Sequence, residues 1–354
     1  MEVTSQSSDA RPHWVGYFSY LRAWGAIAIV FLHAIVSTLG DTSPDVVGFT
    51  PYVVGQAVMI PLTRWAVPVF FMVTGALLLD PAKRIGKSKL KHYIARIVVV
   101  LMSFGLLFGV TSAVIQDGLS GIDALVEGLI KVVYGETWDH LWYLYALIGI
   151  YLLVPALRIF VAHTSRQTYV HTLIVLYVMC FCVPNVNELF SLGLANLHIP
   201  AASYPVFYVL LGYFAHSSQR LTPRMMAVGI LAGVVASVWG AWGELLDADV
   251  SIVFFPQSMF IAPYALMIFL AARELVERHV RSSQQLAPWI LTVDKLGFGL
   301  YVVHPIFVHA FVDTVPLSWM PLWLYAFMCF VFSLTLGLVL TAVLRKIPWL
   351  GRYF

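Results

Sequence analysis

Charged residues are scarce in this chain: only 11% of its 354 residues are Asp, Glu, Lys or Arg. A water-soluble domain carries about a quarter. The deficit excludes an ordinary soluble enzyme, a disordered chain and a nucleic-acid binder, because each needs charge to meet water or phosphate. Cysteine is sparser still, with only three, and Cys180, Cys182 and Cys329 all lie inside apolar runs. They form neither a disulfide framework nor a zinc pattern, and they read as small buried hydrophobes. No polar stretch is long enough for a soluble domain or a linker. What is present is 60% hydrophobic and 14% aromatic residues, with a mean hydropathy of +0.84. That is the composition of a polytopic membrane protein, with lipid around most of its surface.

A hydrocarbon core about 30 Å thick takes about 20 apolar residues as helix. Ten runs meet or approach that length: 17–39, 52–79, 94–115, 141–161, 169–184, 201–216, 225–243, 250–272, 289–312 and 319–344. The fifth and sixth are short and flank Pro184, Pro200 and Pro205. The runs are continuous rather than alternating, which predicts an all-α fold of about ten transmembrane helices and not a barrel. Residues 1–15 are polar and predicted to be a disordered cytoplasmic N-terminus, 16–345 the ten-helix domain, and 346–354 a cytoplasmic tail. The first run is too long for the apolar core of a cleavable signal.

Charge placement tests this map. Segments alternating to one side hold 17 of the 21 Lys and Arg residues, Arg96 and Arg158 among them, and the other side holds only Lys131. That second side also holds 12 of the 18 acids. The positive-inside rule then places both termini in the cytoplasm. In the longest outer loop, 116–140, Ile122, Leu125, Val126, Leu129 and Val133 share one helical face. They predict either a helix along the outer membrane interface or a lid-like packing helix. Gly229, Gly233 and Ser237 form a small-residue stripe that predicts close helix packing.

Ionisable groups inside spans are costly and usually face an interior cavity. At 1.5 Å per residue, Arg22 lies roughly 8 Å and Lys295 roughly 9 Å from the cytoplasmic side, a cationic layer backed by Arg96. His33 and Arg64 lie roughly 24 Å in and His304 roughly 23 Å in, with His140 close to that second layer. Each has a plainer alternative. Arg22 can snorkel to headgroups, Lys295 can pair with Asp294, His33 can be a neutral core histidine, and Asp139 with His140 can be an interface pair. His309, near the outer boundary, reads as structural. Taken together, a cationic mouth suits an anionic donor, a buried imidazole suits proton abstraction from a hydroxyl, and Arg64 suits oxyanion stabilisation. The histidines lack metal-ligand spacing, and no metal is expected.

Arg22-x10-His33 in YLRAWGAIAIVFLHAI resembles the signature of the acyltransferase-3 family of membrane acyltransferases. In order along the chain, RWAVPVFFMVTG (64–75), the basic loop ending in YIARI (93–97), HLWYLYALIGIYLLVP (140–155) and GLYVVHP (299–305) resemble further segments of that family. The resemblance spans about 17–345 and is closest to the compact branch that includes the O-acetyltransferase of enterobacterial common antigen. It implies a bacterial inner-membrane enzyme passing an acyl group, usually acetyl, from cytoplasmic acyl-CoA to a hydroxyl of a cell-surface polysaccharide or its lipid-linked precursor. The family's essential Arg and His map onto Arg22 and His33. Arg64 would join them in catalysis; Arg22, Arg96 and Lys295 would hold the donor; His140, Trp142, Tyr143 and His304 would face the acceptor. No appended extracytoplasmic esterase-like domain is expected. Partners would be the glycan acceptor and membrane lipid, with homo-oligomerisation left open. The rival expectation is a secondary transporter or flippase, since ten spans can be two inverted repeats, but the halves 1–168 and 169–354 share no motif.

Overall fold

A computed structural model describes residues 16–40, 45, 48–190, 203–246, 255–283 and 286–354. The expected disorder of 1–15 lies outside the described residues. Every regular element among those described is helical. Eight helical segments are long and apolar enough to cross a membrane, so the chain is an all-α polytopic membrane protein. Without water to meet a carbonyl or amide, the apolar runs must satisfy their backbone internally, and a helix does this within one segment.

The first span is one helix, α1 (Gly16–Gly40). The second is broken, although its sequence reads as a continuous run. It comprises α2 (Phe49–Val54), a π-helical turn (Gly55–Met59), α3 (Ile60–Thr63), a turn at Arg64–Trp65, and α4 (Ala66–Leu78). The physical reason is proline. Pro61 has no amide hydrogen for the preceding turn, and the ladder shifts register there. Pro68 sits in the first turn of α4, where its missing hydrogen has no helical partner to lose. Next come α5 (Lys87–Val100), a π turn (Leu101–Gly105) and α6 (Leu106–Ile115), which together make one long span.

The longest outer loop forms helix α7 (Gly121–Tyr134), which packs on the bundle through the face opposite the expected apolar one. It returns antiparallel along α6: Gly105 approaches Val132 and Gly109 touches the backbone of Gly128. Its small face, Ala124, Gly128 and Val132, is buried, while Ile122, Leu125, Val126, Leu129 and Val133 are exposed. A 3₁₀ turn (Asp139–Leu141) leads into α8 (Trp142–His163), followed by α9 (Arg166–Tyr177) and, after a π turn, α10 (Val183–Phe190).

Helix α11 (Tyr204–Ser218) is 15 residues long, shorter than a full crossing, yet Phe207, Tyr208, Val209, Leu210 and Leu211 are all buried. It lies against α4 with backbones in contact. A Cβ on Gly75 would fall 1.8 Å from the Val209 carbonyl oxygen, and one on Gly212 would fall 2.0 Å from that of Met72. Helix α12 (Pro223–Leu246) packs through its small stripe as expected, Gly229 against Met267 and Gly233 against Tyr264.

Those two residues belong to α13 (Ile261–Ser283), which corrects the eighth expected span. The apolar run from 250 reads through Pro256, but the helix begins only after it. The helix then continues into charged sequence, where Arg273 pairs with Glu277 and Arg278 with Glu274, each four residues apart. Arg273 also donates to the carbonyls of Ala215, His216 and Gln219 at the end of α11. The bundle closes with α14 (Pro288–Thr314) and α15 (Leu322–Leu344). Residues 345–354 fold back against it in turns, with Leu350 and Phe354 buried. Cys180, Cys182 and Cys329 form no disulfide among the described residues.

Candidate active site

Helices α1 and α14 lie side by side, with Ala26, Val30 and Leu300 in one apolar cluster. This brings two pairs together, one at each level. Near the start of each helix, Arg22 holds Asp294 through two bonds, Nε to Oδ1 at 2.6 Å and Nη2 to Oδ2 at 2.9 Å. Eleven residues along α1, roughly 16 Å of rise, His33 Nδ1 meets His304 Nε2 at 3.0 Å.

The Arg22 level opens on a cavity of about 580 Å³. Arg22, Arg96, Lys295 and Arg345 line it, with Asp294 the one acidic side chain among its described lining residues. Arg96 lies 4.2 Å from the centre of the Phe298 ring and donates from Nε to the Tyr353 carbonyl at 2.8 Å. Arg345 donates to the carbonyls of Lys295 and Phe354. The tail, which read in the sequence as a separate cytoplasmic segment, thus forms part of the cavity wall. The remaining walls are aromatic and aliphatic, with Phe70, Tyr93, Tyr143, Tyr151 and Tyr301 beside Val73, Leu77, Ile97 and Leu147.

A second cavity, of about 410 Å³, opens at the His33 level. His33, Ser112, Glu136, Trp138, His140 and His309 contribute to its lining. His33 is partly exposed, and what it is exposed to is this cavity. Trp138 stacks flat on Phe108 at 4.3 Å, and its ring centre lies 4.7 Å from that of His309. Packed rings separate the two spaces, and no described residue lines both. Tyr143 and Tyr301 face the first cavity and meet edge to face at 5.6 Å. The Tyr301 hydroxyl donates to the His140 carbonyl, and the His140 ring lies 6.3 Å from His33 and 5.7 Å from His304. His140 Nε2 lies 3.3 Å from the Val302 carbonyl. Among the described residues no group of three His, Cys, Asp or Glu side chains is disposed to hold a metal ion.

The structure brings together His33, His140 and His304 as one buried cluster, and Arg22, Arg96 and Lys295 around one cavity. Arg64 lies near enough for its charge to bear on His33. It lines neither cavity, however: its guanidinium sits 5.5 Å from the Phe255 ring centre and its Nε is buried without a partner. Trp142 also lines neither cavity and packs on Phe71 and Tyr204. Tyr143 faces the Arg22 cavity rather than the His33 cavity. Consecutive helical residues point in different directions, so of Trp142 and Tyr143 one faces the cavity and the other the bundle. The same geometry overturns the pairing of Lys295 with Asp294: the two are adjacent on α14, and Asp294 turns to Arg22 instead. The side chain of Asp139 lies outside those described.

Sequence reasoning missed four residues of the site: Asp294 as the partner of Arg22, Arg345, Tyr301 and Trp138. Tyr301 lay within GLYVVHP and Trp138 two residues before His140, so their motifs were visible but their roles were not. Arg345 was counted only as a loop charge.

The described residues thus form a helical membrane protein with a cation-lined cavity, a second cavity, and a histidine cluster at the second. The sequence profile of the acyltransferase-3 family, described as an acyltransferase domain, matches residues 15–342. The chain belongs to that family, and acyl transfer from an acyl donor is its chemistry. No curated protein matches the chain, and no solved structure does.

Proposed function

We propose that the protein is an O-acyltransferase of a bacterial inner membrane. Acyl-CoA, with acetyl the expected acyl group, enters the Arg22 cavity from the cytoplasm. The acyl group then passes at His33 to a hydroxyl of a polysaccharide or lipid-linked glycan held in the second cavity. One observation carries this: two cavities at different levels of α1 lie on opposite sides of a packed set of rings, with Tyr143 and Tyr301 facing the first, His33 and His140 facing the second, and His304 buried against His33 and His140. Arg22, Arg96, Lys295 and Arg345 supply the charge that phosphates require, and the aromatic walls suit the uncharged arm of the donor. Trp138 offers a sugar ring an apolar face, beside His309 and Glu136 as polar partners. Arg64, whose Nε is buried without a partner and whose charge bears on His33, is the candidate to steady the developing oxyanion through its field, since it lines neither cavity. In this arrangement ten helices cross the membrane, with α11 and α13 completing the eight, and both termini are cytoplasmic, as the basic loops favour.

Arg22→Ala is expected to raise the KM for acyl-CoA by about tenfold or more, the loss of a charged hydrogen bond plus an unpaired Asp294. Steady-state kinetics in nanodiscs on the purified protein measure it. If Arg22 only neutralised Asp294, the double variant Arg22→Ala/Asp294→Asn would recover wild-type KM. Donor binding by Arg22 requires that it does not. Trp138→Ala is expected to raise the KM for the acceptor by about tenfold, some 1.4 kcal/mol, and to leave that for acyl-CoA unchanged. The function as a whole is tested by mass spectrometry of surface glycans from cells with and without the protein. Loss of an acyl ester from one glycan supports it, and identical glycans overturn it.

A further inference from the structure

His304 is fully buried, and its neighbours dictate what each ring nitrogen does. Nδ1 lies 3.0 Å from the Leu300 carbonyl oxygen. Carbonyls only accept, so Nδ1 of His304 must carry a hydrogen. A neutral imidazole has one donor nitrogen and one acceptor, and Nε2 of His304 is therefore the acceptor. Its partner at 3.0 Å is His33 Nδ1. That nitrogen donates, and the lone pair of His33 is left on Nε2.

The groups facing His33 from every side fit a neutral pair. They are His304 and His309 on α14, His140 before α8, and Arg64 between α3 and α4. None is acidic, so a second positive charge on His304 would have no counter-ion among them. Glu136 lines the same cavity and is solvent-exposed.

We infer that His304 is a positioning residue: it holds His33 with its hydrogen on Nδ1 and so makes Nε2 the atom that takes the acceptor's proton. This rests on His33 being the general base. In the step it serves, the acceptor oxygen forms a bond to the acyl carbon and the carbon–sulfur bond breaks with its electron pair on sulfur. The hydroxyl proton passes to His33 Nε2 and then to the departing thiolate.

The test reads the ring directly. Protein carrying ¹⁵N-labelled histidine, in nanodiscs, is compared by NMR as wild type, His304→Asn and His304→Gln. Glutamine can place an amide oxygen near the position of Nε2, whereas asparagine is too short. Wild type and His304→Gln are expected to show His33 protonated on Nδ1, and His304→Asn to lose that preference. In parallel, His304→Asn is expected to lower kcat by about tenfold or more, part of what a base contributes. Both KM values should hold, and His304→Gln should recover much of the rate. A wild-type His33 protonated on Nε2, or a tautomer unchanged in His304→Asn, overturns the inference. Full activity in His33→Asn would instead overturn the base on which it rests, and the two failures are read in different proteins.

Discussion

His33→Asn is expected to reduce acyl transfer by about 10²- to 10⁴-fold, the range a positioned general base supplies. Asparagine retains polarity and can bond to His304, so the cluster keeps its packing, but it cannot take a proton at neutral pH. A hydroxyl is a weak nucleophile until that proton leaves. The effect belongs in kcat, with both KM values close to wild type, because the base acts when the bond forms and not when substrates bind. A fall in donor affinity would instead place His33 with Arg22. Rapid quenching with radiolabelled acyl donor and no acceptor separates the base from a histidine that itself carries the acyl group. Label on wild-type protein that is lost in His33→Asn identifies the covalent route. Absence of label in both, with turnover lost, identifies the base.

Gly75→Val is expected to prevent assembly of the bundle. The Cβ alone would stand 1.8 Å from the Val209 carbonyl oxygen, and the obstacle is backbone, which cannot swing aside as a side chain can. Val209 and Met72 are completely buried, so neither helix has room to retreat. The cost falls in the exceptional class of about 4 kcal/mol or more. Small residues at such a crossing exist to let backbones approach where no hydrophobic drive separates helix from lipid. Thermal unfolding in detergent and the yield of monodisperse protein measure the change. Gly149→Ala, at a position with open space around its Cβ, is the control and should leave both unchanged. Full stability of Gly75→Val would refute the contact between α4 and α11.

The levels of the site were legible because a helix advances a constant 1.5 Å per residue. Counting from the ends of spans one and nine put His33 and His304 at one depth and Arg22 and Lys295 at another. Counting could not say which way each side chain turns. Asp294 and Lys295 differ by one residue in depth but point in different directions, and the charge that meets Asp294 lies 272 residues away on α1. Trp142 and Tyr143 raise the same difficulty. The break at Arg64–Trp65 was marked by Pro61 and Pro68, yet hydropathy averages over prolines and read the segment as continuous.

Composition and periodicity alone determined that the chain is a helical membrane protein, where most of its spans run, and which of its ionisable residues share a level along the helices. The ordered motifs pointed to acyl transfer. These properties are local, set by the length of an apolar run and the rise of a helix. Only the tertiary structure decided that α7 doubles back along α6, that α11 packs backbone to backbone on α4, that Arg22 pairs with Asp294, and that His304 bonds His33. Each of these depends on the rotation of one helix against another far away in sequence. That rotation is chosen by side-chain volume at the crossings, above all by the space Gly75, Gly109, Gly128 and Gly212 leave for a neighbouring backbone.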